Sequence, residues 1–240
     1  MPIKPILLIP VYRGGAYFME LLASLDEAGD LFERIVVSFN GDQAEEDEHK
    51  LNRSLVGSFK NLIIIRTRKS LPAIRHMSFF VDYLKRNFPS DSPIFLLAHD
   101  DVLLTGNLRG FLAAKGDFKG GCTLGDWMIF SDAEHKDVRL GTAFPPGLSE
   151  MTAVDFIQWQ TATSSNSIFT NMSGMIVSLC ALAKVAWVYN LPLEGYGARF
   201  EYCLATSRYH SKLLRADPPL VKIREHPGQE GKNVPVAAYG

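Results

Sequence analysis

The chain has 240 residues and a net charge of −1, and it is 47% hydrophobic and 21% charged. A compact fold of that length buries roughly 70 to 75% of its unfolded surface and needs no staples, while the near-zero charge argues against the basic footprint of a nucleic-acid binder. Cys122, Cys180 and Cys203 are odd in number and have no CxxC spacing, which argues against a disulfide framework or a cysteine zinc site and fits reduced, buried thiols in a cytoplasmic protein.

Met1-Pro2-Ile3-Lys4-Pro5 leads into an apolar run that Arg13-Gly14-Gly15 breaks too early for a signal peptide or a spanning helix, and no later segment reaches spanning length. Ile6 to Val11 reads as a strand, Ala16 to Ala28 as an amphipathic helix stopped by Gly29, and Arg34 to Phe39 as a second strand ending at the turn Asn40-Gly41-Asp42. Glu45-Glu46-Asp47-Glu48-His49-Lys50 is the solvated face of a second helix. Asn61 to Arg66 reads as a third strand, Pro72 to Asn87 as a helix closed before Pro89, and Ile94 to Ala98 as a fourth strand. Short strands alternating with helices predict an α/β fold, a mostly parallel central sheet flanked by helices on both faces, in a single domain.

The fourth strand ends in His99-Asp100-Asp101 before apolar sequence resumes at Val102-Leu103-Leu104. Ligands of open α/β sheets collect at the carboxyl ends of strands. Two adjacent carboxylates at such a tip repel one another, so a cation is expected there, most simply a divalent metal held by oxygen ligands. A solvated turn with a helix-capping Asp is the alternative.

Beyond Leu104 the glycines 106, 110, 116, 120, 121, 125 and 141 and the pair Pro145-Pro146 predict loops and short strands through the middle third. Thr152 to Thr163, Ser178 to Tyr189 and Arg199 to Tyr209 have helical spacing. The second of these carries only Lys184 among apolar residues, which reads as a core helix or as a peripheral membrane contact. From Gly228 the tail loses its periodicity. There is no GxGxxG, GK[ST] or GxSxG, which disfavours dinucleotide, P-loop and serine-hydrolase chemistry.

Ile6-Leu7-Leu8-Ile9-Pro10-Val11-Tyr12 with its following helix resembles the opening of the family-2-like GT-A glycosyltransferases. Asn40-Gly41-Asp42 resembles the turn after their second strand, and Pro72-Ala73-Ile74-Arg75-His76 their segment with an Arg-Asn pair in a helix. His99-Asp100-Asp101 falls where they carry DxD, and Met172-Ser173-Gly174-Met175-Ile176-Val177 looks like their acceptor-side glycine strand. Glu194-Gly195-Tyr196-Gly197-Ala198-Arg199-Phe200-Glu201 takes the place of their glycine-plus-acid helix start.

The resemblance implies transfer of a sugar from a nucleotide-diphosphate donor to a saccharide or lipid-linked saccharide acceptor. It implies Mn²⁺ or Mg²⁺ as cofactor, inversion at the sugar, and a place in bacterial surface glycan synthesis. A lipid-linked acceptor would hold the enzyme at the inner membrane face through an apolar patch. Residues 1–107 would form the nucleotide-sugar half and 108–240 the acceptor half.

On the nucleotide side the resemblance implies Pro10 and Tyr12 near the base, Phe39 stacked on it, Asn40 or Asp42 bonded to it, Arg75 at a phosphate, and His99 and Asp100 beyond. Asp101 is the preferred metal ligand, Asp100 the second choice, and His226 a late one. His99 is open to three roles: ligating metal, touching the ribose, or packing. Glu201 is the preferred general base and Glu194 the second. Asp126, Trp127 and Trp159 read either as an acceptor platform or as core.

Three departures from the family pattern stand out: Ser38-Phe39 in place of a base-reading Asp, His99 in place of the first DxD Asp, and no adjacent acidic pair at Arg199-Phe200-Glu201. The rival expectations are a sugar nucleotidyltransferase, although its glycine- and lysine-rich loop is missing near the first strand, and a GT-A-shaped binding module without catalysis.

Overall fold

A computed structural model of the chain describes residues 4–12, 14–40, 59–115, 121–131, 136–141, 144–162, 172–184 and 209–225. The first apolar run is β1 (Ile6–Tyr12), with β2 (Arg34–Asn40) and then β3 (Leu62–Arg66) on one side and β4 (Pro93–Leu96) on the other, all parallel. Ile6, Leu7, Leu8 and Ile9 are all fully buried. A strand covered on both faces has no need to alternate, which is why a continuous apolar run forms the centre of this sheet.

Helix α1 (Gly15–Leu25) buries Phe18, Leu21, Leu22 and Leu25, the i, i+3, i+4, i+7 stripe of one helix face. At Gly14 a Cβ would sit 2.7 Å from Phe18 Cβ and 2.8 Å from Val11 Cγ1, so glycine is what allows the chain to turn this closely from β1 into α1. Helix α2 (Ala73–Asn87) buries Met77, Phe80, Val81 and Leu84 and ends at Phe88, just before Pro89.

The remaining elements are β5 (Val102–Leu103), α3 (Thr105–Lys115), β6 (Gly121–Ser131), β7 (Lys136–Gly141), β8 (Glu150–Met151), α4 (Ala153–Ala162), β9 (Ile176–Ser178), α5 (Leu179–Lys184) and β10 (Lys212–Glu225). The sheet order is β3-β2-β1-β4-β9-β6-β10-β5, with β7 on β6 and β8 on β10. β9 runs antiparallel to both β4 and β6, and β10 runs parallel to β6. The carboxyl ends of β6 and β10 therefore arrive at the same sheet edge as those of β1, β2 and β4.

The middle third departs from the loops and short strands expected of it: it holds the helix α3 and the 11-residue strand β6. Gly106 and Gly110 each lower helix propensity by about 1 kcal/mol relative to Ala, which hid the helix in the sequence. Tertiary contacts offset that cost. Leu108 and Phe111 are buried, Arg109 binds both Asp30 carboxylate oxygens at 2.9 and 3.0 Å, and Asn107 donates to Pro219 O at 2.7 Å. The 14-residue β10 was hidden by Pro218-Pro219, which lie in a bulge where the register jumps from Ala216 to Val221.

The helix expected around Glu45 to Lys50, the helix from Arg199 and the tail from Gly228 lie outside the described residues. Among the described residues no helix is long and apolar enough to cross a membrane.

Candidate functional site

The strand order reverses at β1: β2 and β3 lie to one side and β4 to the other. Ligands of open α/β sheets bind at such a switch point, outside the carboxyl ends of the strands. Here the chemistry of β1 helps to open it. Leu97 N–H donates to Leu8 O at 3.1 Å, so Leu8 faces β4, and two residues on Pro10 faces the same way with no N–H to give. The β1–β4 pairing covers Ile6 to Leu8 only, because β4 ends at Leu96 while β1 runs on to Tyr12. Tyr12, 38% exposed, stands at the end of β1 on this edge.

The acids follow β4 on a tight turn closed by Asp101 N–H to Ala98 O at 3.3 Å. Ala98 N–H donates to Ser173 Oγ at 3.2 Å, and Leu104 N–H beyond the turn donates to Leu220 O at 2.9 Å. Asp101 is 3% exposed, and its Oδ1 accepts the backbone N–H of Arg224 at 3.0 Å. Asp100 is half-buried, as is His99. Preference for Asp101 over Asp100 as the outward ligand therefore meets a turn in which Asp100 is the more accessible carboxylate.

Arg224 is the residue that the sequence reading passed over. It is 4% exposed near the end of β10, and its Nε–H donates to the Asp100 carbonyl at 2.9 Å. Its guanidinium lies between two rings, 4.5 Å from the Tyr17 centroid and 4.6 Å from that of Phe130, and Nη2 contacts Glu20 Oε2. The signal for it was an arginine directly after the largely apolar stretch Leu220-Val221-Lys222-Ile223, two residues before His226. It is a cation beside the acidic turn, supplied by the protein itself.

Phe39 corrects an expectation. It is 0% exposed, and its ring stands edge-on to Phe18 with centroids 5.6 Å apart, so it is a core side chain and presents no face for a base to stack on. Asn40 is also buried, and its amide holds the loop after β3: Oδ1 accepts Thr67 Oγ1–H at 3.0 Å and Leu71 N–H at 2.9 Å, while Nδ2 donates to Leu71 O at 2.8 Å. Both acceptor positions of that oxygen are filled, which leaves it none for a base.

Arg75 is exposed in the first turn of α2. Its neighbour His76 turns inward to Ser38 Oγ, 2.7 Å from Nε2. Burial first, and the charge of His99 second, push the His76 imidazole down to about 4, so the ring is neutral at physiological pH.

Asp126 is fully buried on β6, where its Oδ2 accepts from Arg215 Nε and Nη2 at 3.0 and 2.6 Å. Its Oδ1 is buried and has no hydrogen-bond partner among the described residues. Trp159 packs partly buried beside Phe156, which is a core setting. Asp42, Glu194, Glu201 and His226 lie outside the described residues. A surface hollow of about 380 Å³ between α1 and α3, lined by Ser24, Glu27, Thr105 and Asn107 among others, takes in none of the sequence-predicted site residues.

No group of three or more His, Cys, Asp and Glu side chains gathers among the described residues. Two adjacent carboxylates are nonetheless a donor set that fits Mg²⁺ or Mn²⁺, because such ions commonly take one or two carboxylates and complete their shell with water and substrate phosphate oxygens.

No protein-family profile and no curated protein sequence matches the chain. Solved structures do. Residues 1–349 of S. aureus TarS superpose with a TM-score of 0.62 at 13% identity, over 92% of this chain and 60% of that one. The same protein in complex with UDP gives 0.61 at 14% identity, over 94% and 61%. GalNAc-T7 with UDP, GalNAc and Mn²⁺ gives 0.60 at 12% identity, over 96% of this chain and 45% of that one. This chain thus spans about three fifths of the TarS fragment and under half of GalNAc-T7. Both neighbours are glycosyltransferases of GT-A fold. At this level of identity the likeness is one of architecture: the chain has the GT-A fold.

Proposed function

We propose that the chain is a glycosyltransferase that moves a sugar from a nucleotide-diphosphate donor to a hydroxyl acceptor with the help of Mg²⁺ or Mn²⁺. The observation that carries this reading is the Asp100–Asp101 pair on the turn after β4, at the sheet edge where β1 runs on beyond its pairing with β4. Asp100 and Asp101 would hold the metal, which when bound would offset the negative charge that builds on the leaving diphosphate. Tyr12 offers a ring to the base, and Arg75 a two-pronged guanidinium to a phosphate.

In the reaction the acceptor oxygen bonds to the anomeric carbon. The bond from that carbon to the diphosphate breaks with its electron pair leaving on the diphosphate, and a carboxylate takes the acceptor's proton. Glu201, with Glu194 as the second candidate, is the proposed base, and a single displacement inverts the sugar. Likeness to a protein of S. aureus supports a bacterial glycan as the destination, and UDP in both neighbours' structures makes it the first nucleotide to try. The acceptor we propose is a saccharide, free or lipid-linked at the cytoplasmic membrane face.

A second reading, nucleotide binding without catalysis, is favoured by the burial of Asp101 and its bond to the Arg224 amide. Thermal unfolding with UDP and other nucleoside diphosphates, each with Mn²⁺, Mg²⁺ or EDTA, separates the two. A ligand at about a hundred times its Kd adds roughly 2.7 kcal/mol. The transferase predicts a shift that needs metal and is lost in Asp100→Asn and Asp101→Asn. A shift indifferent to EDTA selects the binding module, and none with any nucleotide overturns both.

A further inference from the structure

We propose that Arg224 is the positioning residue of the Asp100–Asp101 turn, setting the affinity of that turn for a divalent cation without touching the cation itself. The inference rests on the functional reading above. Two separate atoms of Arg224 reach the turn: the side-chain Nε–H binds the Asp100 carbonyl at 2.9 Å, and the main-chain N–H binds Asp101 Oδ1 at 3.0 Å. One residue thus fixes the backbone of the first acid and the carboxyl orientation of the second.

The guanidinium cannot swing away to serve as a phosphate ligand. It is held between the Tyr17 and Phe130 rings, its far end meets Glu20, and the residue is 4% exposed. Arginine suits this place because it is planar, stacks on aromatic faces and presents donors in a fixed fork, whereas lysine would keep the charge and lose the directed Nε–H. The clamp is made by long-range contacts from α1, β6 and β10, so the acidic turn inherits the rigidity of the sheet. Residues that orient ligating carboxylates typically change metal affinity by about 10- to 100-fold when altered.

The test measures Mn²⁺ affinity by electron paramagnetic resonance, with UDP present, on the full chain below its melting temperature. Arg224→Lys and Arg224→Gln are expected to weaken Mn²⁺ at least about tenfold while leaving UDP affinity in EDTA unchanged.

Phe130→Leu keeps an apolar side chain on β6 and removes one face of the clamp. It carries the test if the Arg224 variants do not fold, with an expected weakening of at least about threefold, the worth of one cation–π face. Wild-type Mn²⁺ binding with unchanged affinity in the variants overturns the positioning role and leaves the transferase reading standing. Wild-type protein that binds UDP without metal, or binds no nucleotide, overturns both.

Discussion

His76 and Asp126 show how single buried polar groups tie this protein's stability to pH and to their partners. The unfolded His76 imidazole takes a proton near 6.5, and the folded one only near 4. Between those values the unfolded chain binds more protons, so stability contributed above about pH 6.5 is lost as the pH falls toward 4, amounting to about 3 kcal/mol. Urea melts of wild type and His76→Gln across that range check it, and equal acid slopes would remove His76 as the cause. Arg215 is the described partner of the fully buried Asp126 carboxylate, and its guanidinium pKa is raised first by that hydrogen bond. Arg215→Ala should cost about 3 to 5 kcal/mol by stranding a buried charge. A loss below about 1 kcal/mol in denaturant titrations at neutral pH would sink the assignment.

Among the elements, the turn before β9 has a conformation that one residue type permits. Gly174 has φ +90°, its N–H donates to Leu96 O at 2.8 Å, and a Cβ there would come within 3.1 Å of Val221 Cγ2. The turn thereby docks on the end of β4, where Ser173 Oγ also receives Ala98 N–H at the root of the acidic turn. Gly174→Ala combines backbone strain with crowding against β10 and should lower stability by about 2 kcal/mol or more. A urea midpoint indistinguishable from wild type would show that the turn can relax. The glycine was legible in the sequence as part of a motif. Its reason, a left-handed backbone pressed against a strand nearly fifty residues further on, was not.

For the whole molecule, one sheet threads both halves of the sequence. β9, β6 and β10 from the second half lie between β4 and β5 from the first. A continuous core runs from Ile6 through Phe95 and Leu108 to Ile223. The single-domain expectation therefore predicts one calorimetric transition with matching calorimetric and van't Hoff enthalpies. Two resolved peaks would divide the chain into independent units.

Local pattern determined the parallel half. Ile6 to Val11, Arg34 to Phe39, Asn61 to Arg66 and the run ending at Ala98 are apolar stretches between breakers, and each appears as a strand within a residue or two. A buried parallel strand leaves its mark on its own residues, and the acids at the tip of the fourth were visible for the same reason. Contacts distant in sequence decided the rest. Phe39 reads as a possible stacking face until Phe18 covers it, and Asn40 as a base reader until Thr67 and Leu71 fill its amide oxygen. Helix α3 forms against its glycines because Asp30 and Pro219 hold it, and Arg224 reaches Asp100 across more than a hundred residues of chain. Hydrogen-bond partners and burial belong to pairs of residues, and a sequence read one segment at a time contains only one member of each pair.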